Sequence, residues 1–177
     1  LIKPTCEEVP AEDQDKLVIE IDPGTAFGTG MHETTQLCIR QLQKYMQAGD
    51  EIADIGTGSG ILGITALKLG AGHVYGTDLD EEAVPAVHDN LQANGLPESC
   101  FDMVVGNVIG DEDIKTRMGL GKYDIVVANI LAPVIVLLTA EVGPLLKKDG
   151  LFITSGILDQ REAEVLEAFC QHEDIWE

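Results

Sequence analysis

Basic residues are scarce in this chain: 11 Lys and Arg stand against 31 Asp and Glu, for a net charge of −20. A phosphate backbone needs a basic face, so nucleic acid is excluded as a direct ligand. The surplus negative charge would steer a basic partner inward, or simply keep the surface solvated. Long apolar runs are also missing. No stretch reaches the ~18 residues that would span a bilayer, so no membrane partner is expected, and Leu1-Ile2-Lys3-Pro4 does not read as a secretory signal. Four cysteines, Cys6, Cys38, Cys100 and Cys170, form no CxxC pair. Cys38 and Cys170 fall on apolar helical faces, which points to buried thiols in a reducing, cytoplasmic setting. The four histidines have no ligand spacing with one another or with the cysteines, and no metal is expected.

What the chain has is glycine in telling places. Asp54-Ile55-Gly56-Thr57-Gly58-Ser59-Gly60 lies between an apolar strand and an apolar helix. Glycines this dense let the backbone turn sharply and approach a ligand, and the next helix aims its positive end at the turn. Asp78 closes the following strand, where a carboxylate accepts hydrogen bonds from ribose hydroxyls. A nucleoside-containing cofactor is implied. Gly58, Gly60 and Gly63, with Asp78 about 20 residues on, also satisfy the NAD fingerprint. Asp54 favours S-adenosylmethionine instead, because an acid before the turn suits the cationic methionine end, directly or through a relay, whereas NAD brings a pyrophosphate anion there. Asn129, after the apolar strand Asp124 to Ala128, suits a methyl-accepting nitrogen.

At 177 residues the chain is the size of one domain. Residues 1–16, charged and proline-bearing, read as a solvated lead-in. Leu17 to Ile21 reads as a strand running into the turn Asp22-Pro23-Gly24. A second glycine loop, Phe27-Gly28-Thr29-Gly30, precedes a helix that starts near His32 and buries Cys38, Leu42 and Tyr45. Strand and helix then alternate. Strands are expected at Ile52 to Ile55, His73 to Thr77, Phe101 to Val105, Asp124 to Ala128 and Leu151 to Thr154. Helices are expected at Ile61 to Leu69, at Glu82 to Asn94 with Val84, Val87 and Leu91 inward, and from Pro133 to Lys148. A last helix, with Asp159 and Glu162 as its capping box, would bury Val165, Leu166 and Phe169. Gly106 to Lys122 has room for one short helix. This alternation predicts an α/β fold with a doubly wound, mostly parallel sheet, whose ligands bind beyond the carboxyl ends of the strands. Gly56, Asp78, Asn107 and Asn129 all follow strand ends.

Three stretches carry a family resemblance. Asp22-Pro23-Gly24-Thr25-Ala26-Phe27-Gly28-Thr29-Gly30-Met31-His32-Glu33-Thr34-Thr35 resembles the signature loop of the ribosomal protein L-eleven methyltransferases. Asp54 to Leu62 and Val127-Ala128-Asn129-Ile130-Leu131-Ala132 resemble that family's cofactor turn and acceptor strand end. The resemblance runs from about Pro4 through nearly the whole chain. It implies a Rossmann-like class I methyltransferase fold, S-adenosylmethionine as cofactor, and methylation of lysine and N-terminal amines on a basic large-subunit ribosomal protein. By that resemblance Thr35 contacts the cofactor, Gly56 lines its methionine end, Asp78 holds its ribose, and Asn129 sits between cofactor and amine. Family members also carry a small recognition domain before the catalytic one and a strand pair after the last helix. Neither is matched here, so residues 17–177 are expected to form a catalytic domain alone.

The candidate cofactor set is thus Thr35, Asp54, Gly56, Gly58, Gly60, Asp78 and Asn107, with the Asn129 side chain and the Ile130 carbonyl as acceptors for the amine's hydrogens. Many amine methyltransferases have aromatics after the corresponding asparagine, but here Ile130 and Leu131 take those places. Phe27 could supply an aromatic wall or anchor its own loop. His32 could meet substrate or cap its helix, Asn107 could meet adenine or make a turn, and Asp80 reads as a helix cap. Other readings are a methyltransferase for another basic protein or a small amine, a non-catalytic cofactor-binding module, and an NAD-dependent oxidoreductase. The last lacks a His or Lys after any strand end.

Overall fold

A computed structural model describes residues 1–22 and 32–176. Two short strands near the start, Ile2–Lys3 (β1) and Ile19–Glu20 (β2), pair in parallel apart from the main sheet. Their formation corrects the expectation that residues 1–16 are wholly solvated. Lys3 is only 6% exposed and its ammonium meets Glu20 at 2.5 Å, while Ile2 packs on the core. Asn90 and Asn94 hold the second strand by accepting from the Asp22 and Glu20 amides, respectively.

From Glu33 the chain runs through Glu33–Tyr45 (α1), Glu51–Ile55 (β3), Ile61–Lys68 (α2), His73–Asp78 (β4), Ala83–Ala93 (α3) and Phe101–Val105 (β5). It continues through Glu112–Met118 (α4), Tyr123–Asn129 (β6), Ala132–Glu141 (α5), Leu146–Ser155 (β7) and Glu162–Cys170 (α6). The main sheet has the order β5-β4-β3-β6-β7, parallel throughout. This is the doubly wound sheet expected, and its order reverses between β3 and β6. Side chains alternate across it, as the two-residue period of a strand demands. Ile125 and Val127 join one core with Cys38, Leu42, Ile64 and Leu91, whereas Val126 and Ala128 join the opposite core with Ile114, Met118 and Leu138. Among the described residues no helix is long and apolar enough to cross a membrane.

Several expectations are corrected. The helix from Pro133 stops at Glu141, because Gly143-Pro144 follow and Pro144 has no amide hydrogen to continue the ladder. β7 consequently begins at Leu146, and residues between its pairs Leu146 and Leu151 loop out around Asp149 at φ 64°. The capping box does not form, since Asp159–Arg161 makes a single 3-10 turn and α6 opens at Arg161 without a side-chain cap. Leu166, Val84 and Cys170 face solvent rather than core, and Tyr45 is also exposed. In their place Phe152, Phe169 and Trp176 stack on one another, and the Trp176 indole donates to the Thr139 carbonyl at 2.8 Å.

Candidate cofactor and acceptor site

The carboxyl ends of all five main strands surround one cavity of about 710 Å³, within the usual ~300–1,000 Å³ of ligand cavities. It opens where the strand order reverses, the position such sheets use for ligands. The loop after β3 contributes Gly56 and Gly58, the end of β4 Asp78, the loop after β5 Asn107, and the end of β6 Asn129 with Ile130 just beyond it.

Backbone geometry explains the glycine turn. Gly56, Gly58 and Gly60 hold φ of 72°, 53° and 81°, in the left-handed region that a side chain disfavours. At Gly56 a Cβ would also stand 2.7 Å from Cγ2 of Ile130. The turn is pinned to β4 by the Gly56 and Thr57 amides, both donating to the Thr77 carbonyl. Behind it lies Asp54, 1% exposed, whose Oδ2 accepts from Thr57 Oγ1 at 2.7 Å and the Gly63 amide at 3.0 Å. Burial pushes its carboxyl up to about 6, against the lowering effect of those two hydrogen bonds. Asp54 therefore stands outside the cavity wall and shapes the turn. Gly60, the N-cap of α2 packed on Val87, is likewise behind the wall.

Asp78 does line the cavity. Its Oδ2 accepts from the Gly58 amide at 2.8 Å and its Oδ1 from the Asp80 amide at 3.0 Å. The same carboxylate thus ties the turn to β4 and faces the space. Asp80 in turn accepts from the Glu82 amide at 3.0 Å and closes the turn before α3, but the N-cap of that helix is Glu82, with no side-chain cap, so the helix-cap role expected of Asp80 is corrected. Asn107 makes the turn, its Oδ1 accepting from the Ile109 amide at 3.0 Å, and the residue borders the cavity. His32 caps α1 through Nδ1 and also reaches the cavity.

Asn129 ends β6 opposite Ser155. Its Nδ2 donates to Thr35 Oγ1 at 3.0 Å, bridging residues 94 apart in sequence. Both amide hydrogens sit on that nitrogen, so this contact leaves Oδ1 turned away from Thr35 and without a donor among the described residues. Thr35, 2% exposed, lies behind the wall, where it orients Asn129. The Ile130 amide donates to the Ser155 carbonyl at 3.3 Å. Its own carbonyl receives no hydrogen bond among the described residues and lies against Gly156 so closely that a Cβ there would stand 2.3 Å away.

Gly156, at φ 91°, is the residue sequence reasoning missed. Its signal was a glycine directly after the strand Leu151 to Thr154 and Ser155. Also missed were the apolar lining residues Leu79, Val108, Leu131, Val134 and Leu158, which follow strands and read as ordinary loop or helix positions. Phe27 and the rest of the signature loop from Pro23 to Met31 lie outside the described residues.

A parallel sheet in this order, with a glycine turn after the first main strand and a carboxylate ending the next, is the Rossmann-like fold of class I methyltransferases. The model of one family, Ribosomal protein L11 methyltransferase (PrmA), matches residues 1–177, and the chain belongs to that family. Among its relatives, the ribosomal protein L11 methyltransferase of Agathobacter rectalis is 56% identical over 171 residues, covering 95% of this chain and 53% of that protein. That of Lachnospira eligens is 48% identical over 174 residues, covering 98% and 55%. The chain thus spans about half the length of these curated relatives. The crystal structure of ribosomal protein L11 methylase from Lactobacillus delbrueckii subsp. bulgaricus superposes with a TM-score of 0.84 at 35% identity, covering 96% of this chain and 82% of that one.

Proposed function

We propose that this chain holds S-adenosylmethionine in the cavity and methylates amino groups, on lysine and at an N-terminus, of the basic ribosomal protein L11 in the cytoplasm. The observation that carries the reading is the Asn129 amide, anchored through Nδ2 by Thr35 so that Oδ1 is a spare acceptor beside the glycine turn. The cavity fits the cofactor: bare backbone at Gly56 and Gly58 would admit close approach, the Asp78 carboxylate would accept from ribose hydroxyls, and Val108 and Ile109 would offer an apolar wall to a purine.

When bound, the cofactor supplies an electrophilic methyl on a sulfonium. The acceptor must arrive as a neutral amine, although free lysine titrates near 10.4 and an N-terminal amine near 7.7–8.0. The largely apolar wall disfavours the ammonium, so the proton is lost to solvent before the amine is seated. Asn129 Oδ1 and the Ile130 carbonyl then accept the amine's remaining hydrogens, which turns its lone pair toward the methyl. Neither group removes a proton in this step, and the site needs no strong base.

The test is calorimetry with S-adenosylhomocysteine together with transfer of labelled methyl to ribosomal protein L11 by the full-length protein. Wild type binds and transfers, and Asp78→Ala loses binding. Asn129→Ala keeps binding while turnover falls about 100-fold, the scale of a lost positioning contact. Binding of NAD alone, or binding of the homocysteine compound without transfer to any amine, refutes the reading.

A further inference from the structure

Among the described residues the three most exposed large apolar side chains are Leu131 at 73%, Leu79 at 71% and Leu158 at 71%. All three line the same cavity, from the loops after β6, β4 and β7. Leucines scattered singly over a surface are ordinary; three around one opening mark a contact surface. Leu79 adjoins Asp78 and belongs to the cofactor side. Leu131 and Leu158 straddle the acceptor end, the first next to Ile130 and the second two residues beyond Gly156, which touches the Ile130 carbonyl.

The exposed charge around them is mainly acidic, and Arg161, whose amide donates to the Leu158 carbonyl, has its guanidinium paired with Glu164 at 2.5 Å. Exposed Asp159 follows Leu158, exposed Asp80 and Glu81 follow Leu79, and exposed Glu33 opens α1 beside the cavity residues His32 and Thr34. In a chain of net charge −20, a second copy of the same surface would be repelled and a cationic segment attracted.

We propose that Leu131 and Leu158 form a seat for an apolar side chain flanking the target amine in an extended, cationic segment of the protein substrate. The acidic surround draws the segment in and the leucines set which residue stops at Asn129. This inference rests on the reading of the site as an amine methyltransferase.

The experiment compares the full-length protein with its Leu158→Ser variant on two arginine-rich peptides with a single central lysine, flanked by leucines in one and by serines in the other. Methyl transfer, peptide affinity by fluorescence anisotropy in saturating S-adenosylhomocysteine, and S-adenosylhomocysteine affinity by calorimetry are read separately. Leu158 is exposed, so the variant is expected to fold. The expected result is an unchanged affinity for S-adenosylhomocysteine and a KM and Kd for the leucine peptide raised about tenfold, the size of a truncated interface anchor. The serine peptide, weaker with wild type, should not change. Loss of S-adenosylhomocysteine affinity with peptide binding intact would make Leu158 a cofactor cover and overturn the seat. So would equal affinity of wild type and variant for the leucine peptide. A wild type that prefers the leucine peptide in binding yet methylates neither peptide nor ribosomal protein refutes the catalytic reading while supporting the seat.

Discussion

Asp54 should make this protein less stable as pH rises through mild acidity, the reverse of a salt-bridged carboxylate. Its carboxyl titrates near 3.8 when unfolded and at about 6 in the fold, because burial outweighs its bonds from Thr57 and Gly63. Between those values the folded state holds one proton more than the unfolded state, so stability falls with increasing pH. The contribution is complete below the unfolded value and is lost above the folded one. At about 1.4 kcal/mol per tenfold, it amounts to about 3 kcal/mol in total. The carboxylate is 1% exposed, and solvent screening takes little from that figure. The sequence puts the isoelectric point near 4.3, so the accessible window is about pH 5 to about pH 7.5, which contains roughly half of the effect. Urea unfolding of wild type and Asp54→Asn across that window isolates it. The asparagine keeps an acceptor for the Thr57 and Gly63 donors but cannot titrate, and its extra amide hydrogens impose an offset that does not vary with pH. Other groups cancel in the comparison. One is Asp124, which is desolvated yet held below the usual carboxylate range by Lys147 and the Glu51 amide, so that it acts with the opposite sign. Wild type should lose roughly 1–2 kcal/mol relative to the variant on going to the higher pH. Parallel curves, or a wild type that gains, would refute the assignment of a destabilised buried carboxylate.

Thr35→Val should leave S-adenosylhomocysteine affinity unchanged and lower kcat roughly tenfold, because Asn129 Nδ2 loses its acceptor; Thr35→Ser should restore turnover, and a loss of affinity equal to the loss of kcat would return Thr35 to direct cofactor contact. Gly156→Ala places a Cβ 2.3 Å from the Ile130 oxygen at a φ of 91°, so thermal unfolding should show a loss of about 1–3 kcal/mol together with reduced turnover. An unchanged Tm and rate would show that the Ile130 carbonyl tolerates displacement.

The elements most legible in advance were those whose signal is local. The strand Phe101–Val105 formed with the bounds expected, and the glycine turn after Ile55 formed where strand met helix, since positive φ and period-two burial are written in single residues and their neighbours. Less legible were boundaries decided by competition. Lys147 and Lys148 suit a helix, but Pro144 had already ended one and the edge of β6 offered a partner for the next strand. Likewise Leu166 is as apolar as Val165; which of them is buried depends on where α5 lies.

The same division runs through the site. The residue types were determined by the sequence alone: an acid and glycines around a turn, a carboxylate after the next strand, and an asparagine after the most apolar one. Only the tertiary structure decided which of them face the cavity. Asp54 and Thr35 are carried behind the wall, to Thr57 and Asn129, while Gly156 is brought from β7 to the Ile130 carbonyl. The reason is physical. Conformational preference and hydrophobic period act over a few residues, whereas a hydrogen bond between residues 35 and 129, or a 2.3 Å approach between residues 130 and 156, exists only once the sheet has set strands side by side.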